Sequence, residues 1–105
     1  MKKTRQVART KEIPPGKGIK IRMGREVIAL FNYRGRFFAI QNNCPHQKAD
    51  LANGYIHKGK VYCPMHNWAF DIASGAFAFN DAIHIKTYPV DVKDGVIYIS
   101  AESTK

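Results

Sequence analysis

Residues 44 to 66 read CPHQKADLANGYIHKGKVYCPMH, and this stretch contains both cysteines of the 105-residue chain. Cys44-Pro45-His46 has the spacing C-x-H, and Cys63-Pro64-Met65-His66 has the spacing C-x-x-H. Between His46 and Cys63 lie 16 residues, 47 to 62, enough for a hairpin that brings the two motifs together. Thiolate and imidazole are ligands that transition metals prefer. The motifs therefore predict a site with four metal ligands: Cys44, His46, Cys63 and His66.

The arrangement of these ligands bears on the kind of metal. Structural zinc sites usually carry their cysteines and histidines in like pairs. Here each motif mixes one cysteine with one histidine, which favours a diiron cluster with sulfur ligands on one iron and nitrogen ligands on the other. A zinc-stabilised module that binds nucleic acid or protein is the alternative from another class. A structural β-domain that has lost its metal is a third.

The two motifs resemble the signature of the Rieske [2Fe–2S] family, and the resemblance runs from about Ile21 to Ser100. It implies one Rieske-type [2Fe–2S] cluster, with Cys44 and Cys63 on one iron and His46 and His66 on the other. It also implies an all-β fold, an antiparallel β-sandwich with a small cluster-binding subdomain made of two ligand loops. Replacing two thiolates by neutral imidazoles raises the reduction potential relative to an all-cysteine cluster.

Two further stretches bear on the branch of the family. The chain has no cysteine beyond the two in the motifs, so it is similar to the low-potential, ferredoxin-like branch. Residues 63 to 71, CPMHNWAFD, and 86 to 90, KTYPV, look like the small subunit of assimilatory NAD(P)H-dependent nitrite reductase. The ferredoxin component of aromatic ring-hydroxylating dioxygenases is the alternative. Either implies a one-electron carrier without a complete active site of its own, whose partner is a reductase or an oxygenase large subunit.

The rest of the sequence is typical of short strands separated by glycine turns. Strands are predicted over residues 19–22, 27–33, 37–41, 55–56, 61–62, 68–72, 87–92 and 96–100. Lys58-Gly59 and Asp94-Gly95 indicate hairpin turns. No stretch of 12 or more residues has a clean helical period, so the pattern alone also predicts an all-β domain.

Composition and charge limit the remaining possibilities. The longest apolar run, residues 27 to 31, is far shorter than the roughly 20 residues of a membrane span. No export signal follows the basic start, so we expect a cytoplasmic protein without a membrane partner. We expect a basic tail at 1–12 and a single Rieske domain at 13–105, with its cluster-binding part at about 42–80.

The net charge of +9 arises in the first third of the chain. Residues 1–36 carry eleven basic and two acidic side chains, whereas residues 37–105 carry six of each. Aromatic residues are not interleaved with this charge, so nucleic acid is not the expected partner. One interpretation is that the cationic segment docks an acidic redox partner, which requires that it lie near His46 and His66; the competing interpretation is that the charge serves solubility or a permanent subunit contact. His57 and His84 are expected to have no metal role, and Trp68 is expected to pack beside the second motif.

Overall fold

The computed structural model describes residues 2–44, 49–64 and 68–102, and in these the regular structure is strands with two short 3₁₀ helices. In chain order the elements are β1 (Lys2–Arg9), η1 (Thr10–Glu12), β2 (Gly18–Met23), β3 (Glu26–Tyr33), β4 (Arg36–Gln41), η2 (Leu51–Asn53), β5 (Tyr55–His57), β6 (Lys60–Tyr62), β7 (Ala69–Asp71), β8 (Ala76–Phe77), β9 (Asn80–His84), β10 (Thr87–Tyr88), β11 (Val90–Lys93) and β12 (Val96–Glu102). The predicted all-β fold is confirmed.

The strands form three antiparallel sheets. The first has the order β1-β12-β11, the second β10-β4-β3-β2, and the third β5-β6-β7-β8-β9. Residues of the second sheet contribute to both hydrophobic cores of the molecule. One face of this sheet therefore packs with the first sheet, and the other packs with the third sheet and the segment that follows β4.

The apolar run at residues 27–31 lies in strand β3, which is buried on both faces. Side chains alternate between the two faces of a strand. Ile28 and Leu30 accordingly lie in the core shared with the first sheet, whereas Ala29 and Phe31 lie in the core shared with the third. All four are fully buried. A strand covered on both faces needs apolar residues at every position, and this accounts for the apolar run at 27–31.

Three hairpins turn through two residues with positive φ, the geometry of type I′ turns. The pairs are Arg34-Gly35 between β3 and β4, Lys58-Gly59 between β5 and β6, and Asp94-Gly95 between β11 and β12. The Lys58-Gly59 and Asp94-Gly95 hairpins were both predicted from the sequence and are confirmed.

The beginning of the chain differs from the sequence expectation. Residues 1–12 were expected to form a basic tail, but Lys2–Arg9 form β1 and pair with β12 from Lys2↔Glu102 to Arg9↔Val96. The register shifts between Gln6 and Ala8, and Ala8 is buried in the core with Ile97 and Ile99. The backbone bonds to β12 and the burial of Ala8 hold these basic residues in the sheet.

A second difference concerns residues 87–92, which were expected to form one strand. They form β10 and β11, which belong to different sheets and are separated by Pro89. Proline has no backbone N–H for a ladder, so the chain changes sheets at this position. No helix in the described residues is long and apolar enough to cross a membrane.

Candidate metal centre

The first motif begins three residues after the end of β4. Cys44 is buried, and its backbone N–H donates to the carbonyl oxygen of Ala49 at 3.1 Å. One residue further out on each side, Asn43 and Asp50 form an antiparallel bridge. These contacts close the segment from Cys44 to Ala49 into a loop, called here the first ligand loop. Its residues 45–48, including His46, lie outside the described residues.

Asn42 holds the two ends of this loop together. Its side chain is fully buried; Nδ2 donates to Asp50 Oδ1 at 2.7 Å, and Oδ1 accepts from the Ala52 N–H at 3.1 Å. Its backbone carbonyl accepts from the Leu51 N–H at 2.7 Å. A buried amide satisfied on both sides fixes its surroundings, because any displacement leaves a buried polar group unpaired. Asn42 was not predicted from the sequence, where its one signal was a polar residue between a buried strand and a predicted ligand.

The second motif begins where β6 ends. Cys63 is fully buried, and its N–H donates to the Trp68 carbonyl at 2.7 Å. This bond extends the ladder of β6 and β7, in which Tyr62 pairs with Ala69. The segment from Cys63 to Trp68, the second ligand loop, is therefore closed at its base like the first. Residues 65–67, including His66, lie outside the described residues.

The two loops meet in one apolar core. Cys44 and Cys63 belong to the same buried cluster, together with Leu51, Ala52 and Phe70. The two cysteines are not joined to each other by a disulfide. Two buried thiols on two loops with closed bases match the donors that one iron of a [2Fe–2S] cluster requires. The donor set in the described residues thus fits the predicted cofactor.

Gly54 brings the segment after the first loop against the strand that leads to the second. A Cβ atom at this position would lie 2.1 Å from the Tyr62 carbonyl oxygen and 3.1 Å from the Leu51 carbonyl oxygen. Its φ of −77° is open to any residue, so the need for glycine is steric. Tyr62 directly precedes Cys63, and this close approach therefore sets the spacing between the two ligand loops.

Aromatic side chains cover the core beside the second loop. Trp68 stacks on Phe77 with ring centroids 4.3 Å apart, and Phe77 also contacts Phe70 at 5.4 Å. Trp68 packs against the hydrophobic core that contains Cys63, as predicted. Phe79 meets Phe77 edge to face, and 79% of it is exposed.

Two carboxylates near the first loop have shifted pKa values. A hydrogen bond from the Asn42 amide, followed by one from Lys20 Nζ, lowers the pKa of Asp50. A hydrogen bond from the Tyr88 hydroxyl, reinforced by Lys86, lowers the pKa of Glu26. Burial and the bond to Glu26 raise the pKa of Tyr88. Both carboxylates are charged at neutral pH, and each is held by a neighbouring lysine.

The structure places the remaining predicted residues as follows. His57 and His84 are exposed, on β5 and β9, and neither belongs to the buried hydrophobic core that contains the two cysteines. In the described ranges, no three His, Cys, Asp or Glu side chains lie together as a metal site, and two of the four predicted ligands are outside those ranges. The assignment of all four ligands stays a prediction.

The chain is a small antiparallel β-protein in which the ends of two ligand loops bring two buried cysteines into one core. The model of the Rieske [2Fe–2S] domain matches residues 3–89, so the chain belongs to this family. It therefore carries one Rieske-type cluster and acts as an electron carrier.

The relatives and solved structures similar to this chain include dioxygenase ferredoxins and a nitrite reductase small subunit. The chain is 40% identical over 96 residues to the ferredoxin subunit of 3-phenylpropionate/cinnamic acid dioxygenase from Photorhabdus laumondii, covering 90% of each chain. It is 25% identical, with a TM-score of 0.85 and coverage of 97% and 96%, to a chain in the complex of reduced oxygenase and oxidized ferredoxin of carbazole 1,9a-dioxygenase. A Mycobacterium tuberculosis protein described as an NADH-dependent nitrite reductase small subunit has a TM-score of 0.91 at 20% identity, covering 99% of each chain. At that identity the likeness shows the fold alone.

Proposed function

We propose that this chain is the ferredoxin component of an aromatic ring-hydroxylating dioxygenase system. In this role it carries one electron at a time from a reductase to the terminal oxygenase. The observation that supports this most is the 40% identity to a dioxygenase ferredoxin subunit across 90% of both chains. Residues 63–71 and 86–90 favoured the nitrite reductase small subunit, with the dioxygenase ferredoxin as the alternative, and the relatives support that alternative better.

The proposed ligands are Cys44 and Cys63 on one iron and His46 and His66 on the other. When bound, the cluster supplies reversible one-electron redox chemistry. The described residues contribute a dry apolar environment around both cysteines and closed loop bases that hold them in place. A fixed ligand geometry limits rearrangement when the charge changes, which suits a carrier that must gain and lose an electron repeatedly. We place the cluster-binding part at about residues 42–80 and the protein in the cytoplasm.

The test is reconstitution with purified partners. The holoprotein is combined with the reductase and oxygenase components of the Photorhabdus laumondii 3-phenylpropionate/cinnamic acid dioxygenase, and NADH-dependent oxygen uptake is followed with cinnamic acid as substrate. A parallel reaction contains the catalytic subunit of an NADH-dependent nitrite reductase and nitrite. We expect uptake in the first reaction that depends on the chain. Support of nitrite reduction without support of oxygen uptake would contradict the proposal.

A further inference from the structure

We propose that four exposed cations around the base of the first ligand loop form a docking site for an acidic surface of the redox partner. These residues, called the loop-end cations, are Lys20, Arg22, Arg25 and Lys86. The inference rests on the proposed function, because the partner meant here is the terminal oxygenase, which accepts the electron from this chain. It goes further by stating the charge of the partner's surface and the residues that meet it.

The register of β2 places two of the loop-end cations beside the first ligand loop. Ile19, Ile21 and Met23 pack in the core shared with the first sheet, so Lys20 and Arg22 lie on the opposite face of the strand. Lys20 Nζ contacts Asp50 Oδ2 at 3.1 Å, next to the residue that closes the loop. Arg22 pairs with Val27, and the Val27 carbonyl accepts from the N–H of Asn42, two residues before Cys44.

The other two loop-end cations line a cleft that reaches the same loop. Arg25 and Lys86 border a cavity of about 210 Å³ together with Gln41, Asn43 and Tyr88. Lys86 is fixed there by its backbone, because the Gln41 N–H donates to the Lys86 carbonyl at 2.9 Å, and the Lys86 N–H donates to Gln41 Oε1 at 2.8 Å. All four cations thus border the strand ends from which the first ligand loop leaves the sheet.

The charge of this region is incompletely neutralised. Lys20 is paired with Asp50, and Lys86 is paired with Glu26. Arg22 and Arg25 are exposed and make no ion pair with any residue the structure describes. Four cations against two carboxylates leave an excess of +2 beside the loop predicted to hold His46. Cations at such a place attract an acidic surface and raise its association rate at low ionic strength.

Arg34 and Arg36 provide a control at the opposite end of the same sheet. They lie at the β3–β4 turn, where Tyr33 pairs with Arg36, whereas Ile28 pairs with Gln41 at the other end. Five residue steps from Arg36 to Gln41 correspond to about 17 Å along the strand. Both arginines are exposed and contact aromatic rings, Tyr33 and Phe38. We therefore assign the docking site to the loop-end cations and not to Arg34 and Arg36.

The experiment compares two double variants with the same change in net charge. Arg22→Glu with Arg25→Glu reverses the charge at the loop end, and Arg34→Glu with Arg36→Glu reverses it at the far end. Electron transfer from the reduced holoprotein to the oxygenase component named above is followed by stopped flow at several salt concentrations. We expect the loop-end variant to be about tenfold slower at low salt and to lose the salt dependence of the wild type. The far-end variant should stay within about twofold. Equal slowing of both variants, or of neither, would overturn the proposal.

Oxidation by small ions tests the loop-end charge without any protein partner. Ferricyanide, an anion, and hexaammineruthenium(III), a cation, each accept one electron from the reduced cluster. The loop-end variant should slow the reaction with ferricyanide and speed that with hexaammineruthenium(III), relative to the far-end variant. Identical rates in the two variants for both oxidants would refute the loop-end assignment. If the wild-type protein fails to reduce the oxygenase but the loop-end variant still shows the opposite rate changes with the two ions, the result counts against the proposed function and not against the loop-end assignment.

Discussion

Replacing Gly54 by alanine should separate the two ligand loops. The new Cβ atom would lie 2.1 Å from the Tyr62 carbonyl oxygen, which is a backbone atom that cannot rotate away. Carbon and carbonyl oxygen need about 3 Å or more, so one of the two segments must move by about 1 Å. Overpacking of this kind typically costs about 1–3 kcal/mol. The displaced carbonyl belongs to the residue before Cys63, so we expect the variant to hold its cluster less tightly.

Gly35→Ala is the matched control. At Gly35 an added Cβ meets nothing within 4 Å, but φ is +86°, so alanine is strained there by about 1–2 kcal/mol. The two variants should therefore lose comparable stability, measured as the free energy of unfolding in urea. Only Gly54→Ala should also lose iron faster when the holoprotein is challenged with a chelator. Equal iron release from both variants would refute the role assigned to Gly54.

Three further predictions follow from the loops and their surroundings. Removal of iron should raise hydrogen exchange in the segment from about residue 42 to 71 and leave β1 and β12 protected, because their core contains neither cysteine; unchanged exchange in that segment contradicts this. Tyr88→Phe should cost about 1–3 kcal/mol at pH 7. Since the pKa of Glu26 is lowered in the fold, its stabilising contribution is present at neutral pH and is lost as the pH falls through the lowered pKa. The cost of Tyr88→Phe should therefore shrink as urea titrations are repeated at increasingly acidic pH. His57→Ala and His84→Ala should keep the full visible spectrum of the cluster, and loss of the spectrum in either would show an unpredicted ligand.

The features predicted from sequence are those with local signals. The Asp94-Gly95 turn is a two-residue signal, and the apolar run in β3 reflects burial on both faces. Strand β1 was missed because its bonding partner, β12, lies about 90 residues away and its basic residues resemble a solvated tail. The strand pair β8 and β9 was also missed, because short strands with a register shift carry little alternation.

In the candidate site, too, some features have a local signal in the sequence and others depend on contacts between distant residues. The ligand spacing is local, so Cys44 and Cys63 were found at once, and the structure brings both into one buried cluster. The contribution of Asn42 depends on contacts eight and ten residues along the chain, and the close approach at Gly54 depends on the position of Tyr62. The position of the cationic residues relative to the loops depends on strand register. A count of charges along the sequence therefore could not separate Arg22 from Arg36.

The most direct test of the account is metal and sulfide analysis of the purified protein combined with electron paramagnetic resonance of its reduced form. We expect two irons and two acid-labile sulfides per chain, and nitrogen hyperfine coupling from two imidazoles. Cys44→Ser and Cys63→Ser should abolish the cluster, and His46→Ala and His66→Ala should remove the nitrogen coupling or the cluster itself. A colourless protein containing zinc and no sulfide, a complete cluster in either serine variant, or a cluster that keeps the nitrogen coupling of both imidazoles in either alanine variant would contradict the account.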